Sequence, residues 1–229
     1  MAITAASIWD WSLPVLPFTS IITLIVALFA DRLLDSQGMM DRPFFEIPVA
    51  RRSSTHVCFL VGIFLLLPQI IAIIIGRFQF LVKTQSMINR IILSIFHVST
   101  LIPLVFFLLV AIVKRSRHSD GYQMGVYGIF TSISLYCFLH TILICYLYIR
   151  RSNAPQHGKV IWPIWFLSCC ILLIIFYSIW IHSHSGIAGF IVVFCPFIYF
   201  LGFVHQFWLQ ARARQRYSAV TRVIALTDI

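Results

Sequence analysis

His97, Tyr136 and His140, with a few neighbouring hydroxyls, are the side chains inside the long apolar runs that stand out for chemistry. His97 sits with Ser94 and Ser99 in one run, and Ser132, Tyr136, His140 and Thr141 share another. Histidine works as an acid–base group or as a binding group, and at membrane depth it is costly unless paired. His97, Tyr136 and His140 are therefore the candidate polar pocket. No Asp or Glu lies within any of these runs. That argues against a proton or cation pathway, which usually needs an intramembrane carboxylate, and against di-metal or paired-carboxylate hydrolysis. No phosphate-binding glycine loop, GxSxG, HExxH or CxxC is present. His182 and His184 alone are too few for a metal site. The residues point to no catalytic set, no cofactor and no metal.

The competing reading of the same stretch is packing. Gly128, Ser132, Tyr136 and His140 are each four apart. On a helix each such step advances about 400°, so they form a ridge drifting by roughly 40° per step. Ridges of this kind pack into grooves on another helix. Gly121 and Gly125 add a GxxxG spacing that lets backbones approach closely. Gly121, Gly125, Gly128 and Ser132 are thus assigned to helix packing, within the chain or against a membrane-protein partner at this span.

Both readings need a membrane around them. Of 229 residues, 60% are hydrophobic and 10% charged, and mean hydropathy is +0.95. A soluble domain of that composition would expose large apolar patches; lipid is the solvent that suits it. The fold class is an all-α polytopic membrane protein with one bundle of six transmembrane helices, placed near 13–30, 57–76, 91–113, 126–149, 160–181 and 186–208, and a basic tail over 209–229. Pro68, Pro103 and Pro196 punctuate the runs. Each removes a backbone donor and presses on the carbonyl four residues back. Ser99 and Thr100 stand ready to satisfy groups freed by Pro103.

The net charge of +10 falls in short clusters between apolar runs, the pattern of topology signals and lipid contacts rather than of nucleic-acid binding. Counting Lys and Arg, with Arg77 placed in a loop, gives ten on the side of the termini and seven on the other, which favours cytoplasmic termini. Arg212, Arg214 and Arg216 of the tail are candidate lipid-headgroup contacts, each contributing about 1 kcal/mol near an anionic leaflet. Trp162, Trp165, Trp180 and Trp208 lie near span ends, as interfacial anchors do. The stretch 31–56 is the longest loop, and 182–185 is a tight turn between antiparallel neighbours. His56, His118, His182 and His184 fall on the non-cytoplasmic side, where an acidic lumen would titrate them. Cys145, near the cytoplasmic end of its span, is open to palmitoylation or to simple packing. The six cysteines make no loop pair, so no disulfide framework is expected.

LYCFLHTILICYLYI (Leu135–Ile149) followed by QHGKVIWPIWFL (Gln156–Leu167) resembles the fourth span, linker and fifth span of the DRAM family, the damage-regulated autophagy modulators. That family shows a leucine-tyrosine, then an amide-threonine, in this helix. Leu135–Tyr136 and Thr141 match, and His140 stands where the amide would be. Two positions depart: Tyr122 precedes Gly125 where the family often has a histidine, and Cys195–Pro196 occupies the region of a glutamate. The resemblance implies a non-enzymatic role in autophagy, lysosomal or membrane-lipid homeostasis, an endomembrane location (lysosome or Golgi/ER), and membrane lipids as partners. Relatives that remodel GPI-anchor lipids imply an alternative of that kind. An accessory subunit of a larger membrane complex is a third expectation.

Overall fold

The protein is an all-α polytopic membrane protein. Its computed structural model describes residues 5–34, 53–84, 90–112, 119–150, 159–183 and 185–227. Nine α-helices and one 3₁₀ turn are described: α1 (Ala5–Ser12), α2 (Leu16–Leu34), α3 (Ser53–Thr84), α4 (Arg90–Val98), α5 (Ile102–Ile112), α6 (Ser119–Ile149), α7 (Ile161–Ser183), α8 (Gly186–Leu201) and α9 (Val204–Thr227). Five segments are long and apolar enough to cross a bilayer: Phe64–Val82, Leu93–Val110, Asp120–Ile149, Ile161–Ser183 and Gly186–Arg216. The first expected span corresponds to α2, which is apolar over Leu16–Ala27 among the described residues. Most of the loop expected at 31–56 lies outside the described residues, as do His118, His184 and the side chain of His56.

Helices form here because the bilayer offers no water to unpaired backbone groups. Their faces then sort by depth. Ile164, Leu167, Ile171, Leu172, Ile175 and Ile179 of α7 are exposed and face lipid. Only 28% of that span is buried, against 61% of Gly186–Arg216. The α8–α9 segment is therefore the central element and α7 a peripheral one. Helix α7 ends at Ser183 and α8 begins at Gly186, and the two pack as neighbours.

Close approaches are set by glycine. A Cβ on Gly62 would come 2.6 Å from the Ala27 methyl, so α2 lies directly against α3. A Cβ on Gly125 would come 2.7 Å from Val110 Cγ2, and one on Gly128 2.5 Å from the Phe106 ring. Gly125 and Gly128, two of the four residues assigned to helix packing, thus meet α5 of the same chain. Ser132 instead donates its hydroxyl proton to the Gly128 carbonyl at 2.6 Å, and Gly121 is half-buried.

The third span is interrupted just before Pro103, and the freed Ser99 carbonyl is taken by a backbone N–H rather than by the Ser99 or Thr100 hydroxyl. The chain tightens into a 3₁₀ turn at Ser99–Leu101, and the Ile102 N–H bonds the Ser99 carbonyl. Ser99 donates to Phe96 O at 2.7 Å and Thr100 to His97 O at 2.5 Å. Around Pro68 and Pro196 the helix runs on.

Three expectations are corrected. The second span does not end at Gly76: α3 continues to Thr84, and Arg77 is fully buried within it rather than in a loop. Trp180 is buried at 5% exposure against Tyr127 and Phe130, at 5.7 Å from each ring, so it packs the interior rather than anchoring at the interface. The sixth span is not one helix. Gly202 N–H bonds Tyr199 O at 3.1 Å and Phe203 N–H bonds Phe200 O at 2.9 Å, a tightened turn before α9. No expectation covered α1. This helix docks on α9 and on the end of α3, with Trp11 edge-on to Trp208 at 5.5 Å and Trp9 Nε1 donating to Gln79 Oε1 at 3.2 Å.

Candidate functional site

The centre of the bundle is Arg77. Its guanidinium is 0% exposed, on a span whose cost for an unpaired charge is several kcal/mol on any scale. Two other helices offset part of that cost. From α6, His140 Nε2 accepts the Arg77 Nε proton at 3.0 Å. From α9, Gln206 Oε1 accepts a proton from Nη1. Two aromatic faces complete the cage: the guanidinium carbon lies 4.8 Å from the Phe203 centroid and 5.4 Å from that of Phe80. Cation–π contacts in a desolvated site contribute about 2 kcal/mol.

The arginine fixes the state of the histidine. Because Arg77 Nε can only donate, His140 Nε2 must accept, and the ring proton sits on Nδ1. Nδ1 then donates to the Tyr199 hydroxyl at 2.7 Å. Tyr199 passes its own proton to the Cys137 carbonyl at 3.1 Å. Thr141 donates to the same carbonyl at 2.7 Å and lies 3.1 Å from Tyr199 Oη. The result is one directed chain of donors from α3 through α6 to α8. Phe166 closes it from α7, with its ring 5.4 Å from His140 and 4.8 Å from Tyr199.

The expected pocket residues do come together, though at the flank of this centre. Tyr136 lies 5.7 Å from the His140 ring and 6.4 Å from that of His97, with Phe96 in contact with all three. His97 donates from Nδ1 to the Leu93 carbonyl at 2.9 Å, a bond within its own helix. Of the three, only His140 touches Arg77. Thr141 is in the network, as its buried position beside His140 suggested. Arg77, Tyr199 and Gln206 are not singled out as site residues by sequence reasoning. A signal existed for Arg77: the FQFLV that follows it resumes the apolar run.

Two more features lie away from this centre. At the outer end of α9, Arg214 Nη1 reaches both Asp10 oxygens, at 2.6 and 2.5 Å. Asp10 is buried, and the pair holds Arg214, about one-third exposed, to α1. Arg212 and Arg216 remain exposed, with Arg212 lying 4.7 Å over the Trp208 ring. Near the other end of α6, an open groove of about 570 Å³ is lined by Phe106, Gln123, Tyr127, Gly128, Thr131 and Ser132.

The Asp10–Arg214 pair makes a testable tether. Replacing Asp10 with asparagine is expected to speed backbone hydrogen exchange across Ala5–Ser12 by about fivefold to tenfold, since a half-exposed pair holds about 1 kcal/mol. Exchange in α6 is expected to stay unchanged in the same experiment. Equal rates at α1 would show that the aromatic contacts alone hold it.

Compared with protein-family models, with curated proteins and with solved structures, the chain finds no match.

Proposed function

We propose that this chain is a non-enzymatic multispan protein of endomembranes that serves membrane-lipid homeostasis, in the manner of the DRAM-type modulators it resembles. The observation that carries the reading is the state of His140. It stands where the resembling family has an amide, and both of its ring nitrogens are committed, one to Arg77 and one to Tyr199. A general base needs a free lone pair directed at a substrate. Here that lone pair holds a buried cation in place, so the centre supports binding and architecture rather than turnover. We place both termini in the cytoplasm. With Arg77 moved from a loop into α3, the Lys and Arg excess on that side narrows to nine against seven.

The test is deletion of the gene, followed by lipid profiling of purified lysosomal and Golgi membranes and measurement of autophagic flux. The expected outcome is a changed lipid profile together with altered flux, and a tagged chain in one of those membranes. A normal profile and normal flux would overturn the reading.

One observation favours the GPI-anchor remodelling alternative. The open groove beside Gly128 lies in the half of α6 nearest Asp120, the non-cytoplasmic half in this orientation. Its Phe106, Tyr127 and Gly128 walls suit an acyl chain, and Gln123, Thr131 and Ser132 give it polar points. That alternative requires altered lipid moieties on surface GPI-anchored proteins after deletion; unaltered moieties would remove it.

A further inference from the structure

Arg77 is held by neutral acceptors only. His140 Nε2 and Gln206 Oε1 take two of its protons, and neither brings a negative charge. Among the described side chains the acids are Asp10 and Asp120. Asp10 is paired with Arg214, and Asp120 stands twenty residues before His140 on α6, about 30 Å away along the helix. The cation is thus buried without an internal counter-ion among the described residues.

Donors beside it are left without partners among the described residues. Arg77 Nη2 is buried and makes no hydrogen bond among the described residues. Gln206 has its oxygen on Arg77, which fixes the amide and leaves Nε2 as a donor; that atom too is buried with no acceptor. One turn further along α9, both side-chain polar atoms of Gln210 are likewise unpartnered. Gln206, Gln210 and Arg214 are four apart, so they form a polar stripe running outward from Arg77 to the bundle end. A buried unsatisfied donor is costly, and a charged one more so. A fork of guanidinium and amide N–H groups matches an oxyanion with several oxygens.

Depth narrows the ligand class. Trp208, exposed and capped by Arg212, sits two residues past Gln206. Exposed tryptophan beside arginine marks the headgroup level of a span. The Arg77–Gln206 centre therefore lies about 3 Å, roughly half a helical turn, inside the layer where phosphates reside.

We infer that Arg77, Gln206 and Gln210 form a binding site for a phosphate oxyanion, supplied by a phospholipid headgroup or by free phosphate, reached along the α9 stripe. The inference deepens the lipid reading above and rests on it. In this site Arg77 Nη2 and Gln206 Nε2 donate to the phosphate oxygens, and Gln210 lines the approach. Asp10, holding Arg214 at the outer end of the stripe, keeps that second cation from competing for the ligand.

The experiment is native mass spectrometry of the full-length chain in detergent, titrated with phosphatidic acid, inorganic phosphate, or diacylglycerol as a phosphate-free control. Phosphatidic acid is expected to bind at least tenfold more tightly than diacylglycerol. If inorganic phosphate competes with it, free phosphate is also a ligand; if not, the headgroup source is established. Arg77→Gln is expected to weaken phosphatidic acid binding at least tenfold. Because that variant removes a centre of the bundle, Gln206→Glu is the second probe. It supplies a covalent carboxylate beside Arg77, and is expected to abolish binding while keeping or raising the thermal midpoint. Overturning results are wild-type chain that binds neither phosphate source better than diacylglycerol, or unchanged affinity in a folded Gln206→Glu chain. If deletion still alters lipid profiles in that event, the functional reading stands and the oxyanion site alone is removed.

Discussion

Truncating His140 to alanine is expected to cost on the order of 3–5 kcal/mol of stability, the range for stripping a partner from a buried charge. The substitution acts at three places together. It leaves Arg77 Nε without its acceptor and the Tyr199 hydroxyl without its donor. It also opens a cavity among Phe166, Tyr199 and Phe203, whose rings lie 5.1 to 5.7 Å from the imidazole. Tyr199→Phe removes one hydroxyl from the same chain and is expected to cost only about 1–3 kcal/mol. Because the two residues share a hydrogen bond, the double variant is expected to lose less than the two single losses combined. Thermal unfolding in detergent, or equilibrium unfolding in bicelles, would measure all three. Additive losses would mean that the donor chain from Arg77 to Cys137 is not one network.

Placing a side chain on Gly202 is the second large effect. A Cβ there would lie 2.7 Å from two atoms of the Phe166 ring and 3.0 Å from Trp165. Phe166 is 0% exposed and backed by His140, Tyr199 and Phe203, so it has no room to retreat. Gly202→Val is expected to cost about 1–3 kcal/mol or more, the penalty for overpacking a filled core. Gly128→Ala provides the contrast. Its Cβ would meet the Phe106 ring at 2.5 Å, but Phe106 is only partly buried and borders the open groove, so the ring can turn aside. Comparable destabilisation at the two positions would show that α7 is not wedged against the α8–α9 turn.

The helices were legible because lipid imposes a simple rule: long apolar runs cross, and charges end them. The same rule hid Arg77. A charged residue after an apolar run reads as the start of a loop, and Gly76 before it strengthens that reading. Only the apolar Phe78, Phe80 and Leu81 beyond it reveal that α3 carries on, and two of those three are buried. His140 was legible as a costly polar residue needing a partner, but the partner lies sixty-three residues earlier in the chain, a separation no local pattern encodes. Gln206 was lost for a different reason: it sits where α9 turns polar and reads as the edge of a span. Helix α1 lies in the first dozen residues, whose apolar content is too short to register as a span. Its role depends on tertiary contacts with Gln79, Trp208 and Arg214. At Gly125 and Gly128 of α6 small size alone decides the approach to α5, a property that spacing in the sequence makes visible.

The tightened turn at Gly202–Phe203 also sets a mechanical ratio. Gln206 stands four residues beyond Gly202 and Arg214 twelve, about 6 Å and 18 Å along α9. A swing of α9 by about 10° about that fulcrum moves Arg214 by roughly 3 Å and Gln206 by roughly 1 Å, with the helix acting as a rigid rod of 1.5 Å per residue. Arg214 is hitched to α1 through Asp10, while Gln206 grips Arg77. A pull on the N-terminal helix is thus geared down threefold on its way to the buried arginine, enough to loosen one hydrogen bond while leaving the aromatic cage around it closed.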